Sequence, residues 1–529
     1  MQVSRISVSK VNRTSYEQND IGRFQRAISA LRDGGELTVP SGTYYLDSLT
    51  IEKSIHIRCA GVVEFIPTAQ NKDILIIEGT RNDASYHLLE PANRRDPKIT
   101  LSSNPSDIKP GDMIVVTDDS VRYKDHHTDL NTEVHEVFYV ENNTIWLRDY
   151  IRLPKSPAPS GVNVYKVNPI ENVKIDGFRY RMLEGSTCGR GIYANYVRNL
   201  QIMNIQGTRG AGSGVQVRKA IQTRVERFEF TNPQVVGGGQ GYGVQFFGGC
   251  NGITVRDGYT YGMRHSVDLE GSCEALIDNV VDVCAAGASF LLSHNGYSSD
   301  VTIQNCRAIH SAGTGIVADS QAISSGNPDK SSPLQLTFYG FQIRNCEIIN
   351  FGFGNAGIHF YSPCKEVFIE GCKIRYRSGS EKGLSKLSNA GIRLYPAQTD
   401  AQIHNCTIEG YRRGISFQSP AGDYDNRDDC QVHISNTVIR NCCSALFFNY
   451  GRSKRFQISH IHCEEIEQQF LELNQGDFTL LQIDDVTIIR SPKLRFANHK
   501  IQMTNKKSAG AVRNILIDDK EFSPLPHTL

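Results

Sequence analysis

Several things are scarce in this sequence, and each scarcity narrows what the chain can be. No charge is in excess, since 57 lysines and arginines face 56 aspartates and glutamates. A basic field that would point to nucleic acid is therefore missing, and no nucleic-acid partner is expected. No apolar run reaches the roughly 18 residues that a membrane-spanning helix needs, so no membrane partner is expected either. The opening stretch MQVSRISVSKVNRTSYEQND lacks the apolar centre of a secretory leader. The expectation is a chain made in the cytoplasm, reaching the cell exterior only by lysis or as part of a particle. Tryptophan occurs once against 46 glycines, which fits a soluble β-rich protein.

Paired CxxC knuckles are also missing, although there are fourteen cysteines. Cys306, Cys346, Cys372 and Cys406 follow one another at intervals of 40, 26 and 34 residues, which is no zinc spacing. They occupy one position of a repeating pattern. The expectation is a stack of buried free thiols behaving as small hydrophobes, folded in a reducing compartment.

What is present is repetition. GVQFFGG at 243, SVDLEGS at 266, SFLLSHNG at 289, GIVADS at 315, GIHFYS at 357 and GIRLYP at 391 each alternate apolar and polar residues, the period of a half-buried strand. Each is followed by a second alternating run closing on small polar residues: ITVRDG, ALIDNV, VTIQNC, FQIRNC, VFIEGC and AQIHNC. The opening glycines at 191, 214 and 243 lie 23 and 29 residues apart, and those at 357, 391 and 414 lie 34 and 23 apart. A solenoid turn of about 23 residues with loops of variable length accounts for both sets, over about eleven turns. Leucine-rich repeats are excluded by the missing LxxLxL consensus, and propellers by the short period. The fold class is all-β, a right-handed parallel β-helix.

Four segments follow. Residues 1–79 hold the first turns and an amphipathic helix over 20–33, with Asp20 as N-cap, Ile21, Phe24, Ile28 and Leu31 on one face, and Gly34-Gly35 as its stop. This helix caps the open first turn of the coil. Residues 80–170 break the rhythm and read as inserted antiparallel strands, with Asn142-Asn143 as a hairpin turn. Residues 171–491 are the coil with a substrate groove, and 492–529 a final strand and tail.

Alternation assigns the outward side chains. With Ile358 and Phe360 inward, His359 and Tyr361 face out. The same register sends out Gln245 and Phe247, Asp268 and Glu270, Leu291 and Ser293, Val317 and Asp319, Arg393 and Tyr395, and Ser416 and Gln418. Stacked about 4.8 Å apart, they form two columns along which a polymer can lie. Asp268 and Glu270 stand two apart on one strand, with Asp319 two turns on. Paired carboxylates are what acid-base glycoside hydrolysis requires. Arg264, His265 and His294 flank them, and an imidazole beside carboxylates is a proton carrier near neutral pH. His359, Arg393, Tyr361 and Tyr395 offer charge and ring faces to an anionic or sugar ligand.

Metal ligands are harder to find. RYKDHHTD brings Asp125, His126, His127 and Asp129 together, but adjacent histidines point different ways. GDYDNRDD holds Asp423, Asp425, Asp428 and Asp429 without the glycine and distal glutamate of an EF-hand. No cofactor is expected, with calcium as the one alternative.

NDIGRFQRAISALRDGGELTVPSGTYYL resembles the entry segment of the pectate-lyase-like β-helix superfamily, and GDMIVV followed by NTIWL resembles an insert of its phage members. YGMRHSVDLEG and FLLSHNG are similar to a stretch of bacteriophage tail-spike and neck-appendage proteins. The resemblance spans residues 18–490. It implies a homotrimeric spike that binds and cuts a surface polymer, such as capsular polysaccharide or wall teichoic acid. Hydrolysis with Asp268, Glu270, Asp319 and His294 as catalytic groups is the first reading. Arg264, His265, His359, Tyr361, Arg393, Tyr395, Gln245 and Phe247 then hold substrate. Elimination on a uronate polymer and a purely adhesive role are the alternatives.

Overall fold

The computed structural model describes residues 2–118, 131–155, 162–293, 297–311, 315–318, 337–351, 356–361, 363–377, 389–395, 399–418, 430–449, 454–474, 477–497, 502–503, 509–518 and 520–522. It divides into two compact units, Met1–Asp282 with Ser293–Ser299, and Val283–Leu292 with Asp300–Leu529. Each is a stretch of right-handed parallel β-helix, built almost wholly from short strands paired with the next turn.

In the first unit the register runs Leu49, Leu75, Ile192, Val215, Val244, Val267, one residue per turn. All six are fully buried. In the second, Ile316, Ile358, Ile392, Ile415, Leu446 and Leu471 stack in the same way. The apolar half of each repeated phrase thus becomes a continuous core, with stability shared between neighbouring turns.

The opening glycines recur because the turns approach closely there. A Cβ on Gly357 would lie 2.7 Å from the carbonyl oxygen of Gly391, and one on Gly391 would lie 2.8 Å from that of Gly414. Only a hydrogen fits in that gap.

The second run ends on Asn for a different reason. Asn305, Asn345 and Asn405 are left-handed, with φ of 54°, 51° and 53°, and Gly371 fills the same slot at 66°. These are the residues that tolerate this conformation at a tight bend. The bend turns the following cysteine inward, where Cys306, Cys346, Cys372 and Cys406 are at most 2% exposed. Each thiol donates to the carbonyl two residues back, at 3.1, 3.3, 3.4 and 3.2 Å. No described cysteine is in a disulfide. Hydrogen bonding between neighbouring thiols, together with burial, pushes Cys346 and Cys372 above their ordinary pKa, so these two thiols stay protonated.

The N-terminal helix is shorter than its sequence pattern. It spans Ile21–Ala30, and Leu31 is already extended, three residues before Gly34. Asp20 makes no side-chain cap. Its carboxylate instead accepts from Arg13 Nε at 3.0 Å and from the backbone N–H of Tyr45 at 2.9 Å, while Asn19 accepts from Ile21 N. Tying the helix to the strand Leu31–Tyr45 outweighs local capping. Phe24, Ala27 and Ile28 are buried, and the Phe24 ring meets Tyr44 and Phe65 edge-on at 5.5 and 5.9 Å.

Between Thr80 and Asn168 the chain leaves the coil to form a seven-stranded antiparallel sheet. Asn142, at φ 54°, makes its hairpin turn between Glu141 and Thr144. The strand Met113–Asp118 is buried on both sides. Ile114 and Val116 enter the insert's own core with Ile99, Val137, Ile145 and Leu147. Met113 and Val115 face the other way and pack with Val134 and Val167 against Ile221 of the coil. The insert therefore has a core of its own and a second apolar layer that seats it.

Candidate active site

The first unit carries two polar columns on the outer side of its sheet. One runs Ile76, Tyr193, Gln216, Gln245, Asp268, and the other Glu78, Asn195, Arg218, Phe247, Glu270. Hydrogen bonds link them along the coil. Arg190 donates to both oxygens of Asp73, at 2.9 and 2.6 Å, and to Gln216 Oε1 at 2.5 Å. Gln216 Nε2 donates to Gln245 Oε1 at 2.5 Å, which also accepts from Ser213 Oγ at 3.0 Å. Gln245 Nε2 then donates to Asp268 Oδ2 at 3.0 Å and Glu270 Oε1 at 3.1 Å.

That single amide fixes the two carboxylates. Both oxygens accept from one nitrogen, so they lie no more than about 6 Å apart, closer than the roughly 6.5–9.5 Å of inverting glycosidases and compatible with the roughly 5–5.5 Å of retaining ones. Arg218 stands 4.0 Å over the Phe247 ring. Arg264 donates to the Tyr242 hydroxyl at 3.0 Å, and His265 packs on the same ring with centroids 5.4 Å apart. Burial, then the charge of Asp268, raises the Tyr242 pKa, so this phenol remains a neutral hydrogen-bonding group.

The structure corrects one expectation. The strand His265–Glu270 is buried on both faces, with Asp268 at 0% and Glu270 at 8% exposure. The carboxylates point away from the core but do not line an open groove. Alternation fixes which face a side chain takes, and says nothing of what covers that face. His265 shares the parity of the inward Val267 and Leu269, which puts its ring against Tyr242 instead of in the carboxylate column. Asp319 and His294 lie outside the described residues, as do Asp125, His126, His127, Asp129 and the loop holding Asp423, Asp425, Asp428 and Asp429. Among the described residues no group of three or more histidines, cysteines or acids is arranged to hold a metal.

Gln216, Arg218 and Asn195 escaped the sequence reading. Their signal was present, because GIYANY at 191 and GVQVRK at 214 open on the stacking glycine and share the register of GVQFFGG.

The second unit brings His359, Arg393 and Ser416 into one column, continuing to Phe447 and Glu472. His359 is fully buried and stacks on Tyr361 with centroids 3.7 Å apart. Neither of its ring nitrogens has a hydrogen-bond partner. Burial, and then the charge of Arg393, holds its pKa well below the usual value, so the imidazole is neutral. Burial lowers the Arg393 pKa to about 10. Tyr361 leans on Ala288 and Leu291, and Tyr395 is buried, its carbonyl accepting from the Thr399 hydroxyl at 2.9 Å. Arg413 lies 3.3 Å over Phe447 and pairs with Glu472 at 2.7 Å.

A third polar group, which the sequence reading missed, fastens the insert to the coil of the first unit. His135 Nδ1 meets Asp149 at 2.8 Å and its Nε2 meets Glu133 at 3.3 Å. Lys155 donates to Glu133 at 2.5 Å and to Asn131. Glu133 also accepts from the N–H groups of Arg152 and Leu153, at 2.7 and 3.0 Å. Across the junction, Asn251 donates to Asp149 at 2.6 Å and to the Val134 carbonyl at 3.2 Å, and Arg152 pairs with Glu274 at 3.0 Å. The junction adjoins the strand of Gln245 and Phe247, where a Cβ on Gly249 would meet the Thr132 carbonyl at 2.5 Å.

Burial alone would lower the His135 pKa, but Asp149 and Glu133 outweigh it and raise it to about 9. The histidine takes up its proton more readily folded than unfolded. Its contribution to stability is therefore complete below its ordinary pKa and is lost as pH rises through about 9. Urea midpoints measured against pH should fall between the ordinary histidine value and about 9 and level off beyond it, and His135→Gln should flatten the fall.

The sequence model of the family described as right handed beta helix region matches residues 292–479. No curated protein matches the chain. Solved structures resemble it at low identity. The tailspike of Pseudomonas phage phi297 matches with a TM-score of 0.56 and 14% identity, over 93% of this chain and 76% of that one. The tailspike of E. coli bacteriophage HK620, solved with a hexasaccharide, gives 0.57 and 11%, over 97% and 80%. The tailspike of Acinetobacter baumannii bacteriophage AP22, solved with a capsular saccharide, gives 0.52 and 13%, over 94% and 74%. At such identities the likeness is one of fold.

Proposed function

We propose that this β-helix chain, which shares its fold with phage tailspikes, is a depolymerase that hydrolyses a bacterial surface glycopolymer, either capsular polysaccharide or wall teichoic acid. The observation that carries the reading is the pair Asp268 and Glu270, held to one amide nitrogen of Gln245. Hydrolysis of a glycosidic bond needs one carboxyl group to protonate the departing oxygen and a second to attack the sugar carbon or activate water. Gln245 keeps the two at working distance, and its own position is set through Gln216 and Arg190. Tyr193, Arg218 and Phe247, in the same columns, offer ring faces and a cation to the flanking sugars.

Saccharides bound to two of the tailspikes of this fold support the choice of substrate class. A homotrimer assembled on a virion is the setting that goes with it, and calcium is not required by the chemistry of the pair. In the second unit, His359 and Ser416 present buried polar atoms with no partner, which suits them to hold a sugar beside Arg393. The test is to incubate the chain with purified capsules and wall teichoic acids and follow polymer length by gel filtration. One polymer should shorten with time. Retention of a polymer without shortening would make the chain an adhesin.

A further inference from the structure

The insert carries a second surface feature that the cleavage site does not use. Along the strand Thr132–Glu141, Val137 and Val140 both pack into the insert's core. Two residues separate them where strict alternation allows one, and the pairing with Thr144–Leu147 shifts register between Val137 and Tyr139. This is a β-bulge, a device that re-aims side chains. It turns Phe138 and Tyr139 out together, at 59% and 50% exposure. Tyr139 pairs across the sheet with Trp146, and Trp146 with Lys98. Trp146 is the one tryptophan of the chain.

Cations stand beside two of these rings. Lys98 Nζ lies 5.1 Å from the Trp146 ring centre, and the Arg148 guanidinium, paired with Glu136, lies 5.7 Å from that of Phe138. The next row of the face is Glu141, Thr144 and Thr100, a carboxylate and two hydroxyl groups. The exposed Phe138 and Tyr139 and the partly exposed Trp146 lie outside the insert's own apolar core.

We infer that Phe138, Tyr139 and Trp146, with Lys98, form a platform for pyranose rings that bear an anionic group, apart from the carboxylate pair. The apolar faces of a sugar lie on the rings while its carboxylate or phosphate meets the cation. The area fits one or two sugar units. Rings exposed by about half or less offer at most about 100 Å² each, far below the roughly 800 Å² per partner of a stable contact between copies of the chain. The choice of a glycan as occupant rests on the depolymerase reading. In that setting the platform holds the polymer on the insert while the coil cuts it, which concentrates chain ends near the site.

The single tryptophan makes the platform directly observable. The full chain carrying Glu270→Gln, so that nothing is cut, is titrated with alginate, wall teichoic acid and neutral dextran while Trp146 emission is followed. At least one anionic polymer should change the emission saturably, and dextran should not. Tyr139→Ala and Lys98→Ala should each raise the half-saturating concentration about tenfold without changing the unfolding midpoint. Emission unmoved by both anionic polymers, or an unchanged half-saturation in the variants, would overturn the platform. A fall in solution mass for Tyr139→Ala would also overturn it, by making the face a contact between copies. Absence of cleavage by the unmodified chain would leave this result standing and remove only the depolymerase reading.

Discussion

Exchanging Glu133 for alanine should destabilise the first unit by about 3–5 kcal/mol, the cost of stripping one partner from a buried ionic network. Glu133 is 1% exposed, accepts from Lys155 and two backbone N–H groups, and pairs with His135. Burial would raise its pKa, but Lys155 and then His135 hold it below the ordinary carboxylate range. Without that carboxylate, Lys155 and His135 remain buried with less to balance them, and the N–H groups of Arg152 and Leu153 lose their acceptor. Urea unfolding measures the effect. Glu136, paired with Arg148 near solvent, supplies the contrast, because its alanine variant should lose no more than about 1 kcal/mol. Equal losses for the two would show that the buried network does not hold the insert.

The second large effect is on chemistry. Glu270→Gln should slow polymer cleavage by about 10²–10⁴-fold, the range associated with a lost general acid or base. The circular dichroism spectrum and unfolding midpoint should stay close to those of the unmodified chain. The amide matches the carboxylate in shape and can still meet Gln245 through its oxygen, so the geometry survives while the charge and the exchangeable proton do not. If Glu270→Gln and Asp268→Asn both cleave at the full rate, the pair is not the catalytic site.

How much of this was legible in the sequence differs between the coil and its decoration. The coil could be read because one residue type recurs for one physical reason at each position. Gly357 and Gly391 recur where turns nearly touch, Asn305 and Asn405 where the backbone must be left-handed, and Cys306 and Cys406 where a small apolar side chain turns inward. Parity then placed Gln245, Asp268 and Glu270 on the same side of the sheet.

The burial of Asp268 and Glu270 could not be read, since alternation carries no information on what lies above a face. Nor could the network of Glu133, His135, Asp149, Arg152 and Lys155, whose members join Asn251 and Glu274 from over a hundred residues away. No periodicity encodes such a junction. The helix failed in a third way. Asp20 has the composition of an N-cap, but its carboxylate is claimed by Arg13 and Tyr45, a tertiary demand that local preference does not register. The bulge at Phe138 and Tyr139 broke the period-2 pattern where those side chains are displayed, so the departure from pattern was itself the signal.

The central claim is that Asp268 and Glu270 hydrolyse a glycopolymer, and the most direct measurement is end-group analysis in water enriched in heavy oxygen. The chain is incubated with the polymer it shortens, and the fragments are weighed by mass spectrometry. Hydrolysis at this pair predicts one labelled oxygen per cut, located at the new reducing end, with labelled ends accumulating at least about 10²-fold more slowly with Glu270→Gln. Fragments ending in unsaturated sugars without label would contradict the account and assign the chain to the eliminating enzymes.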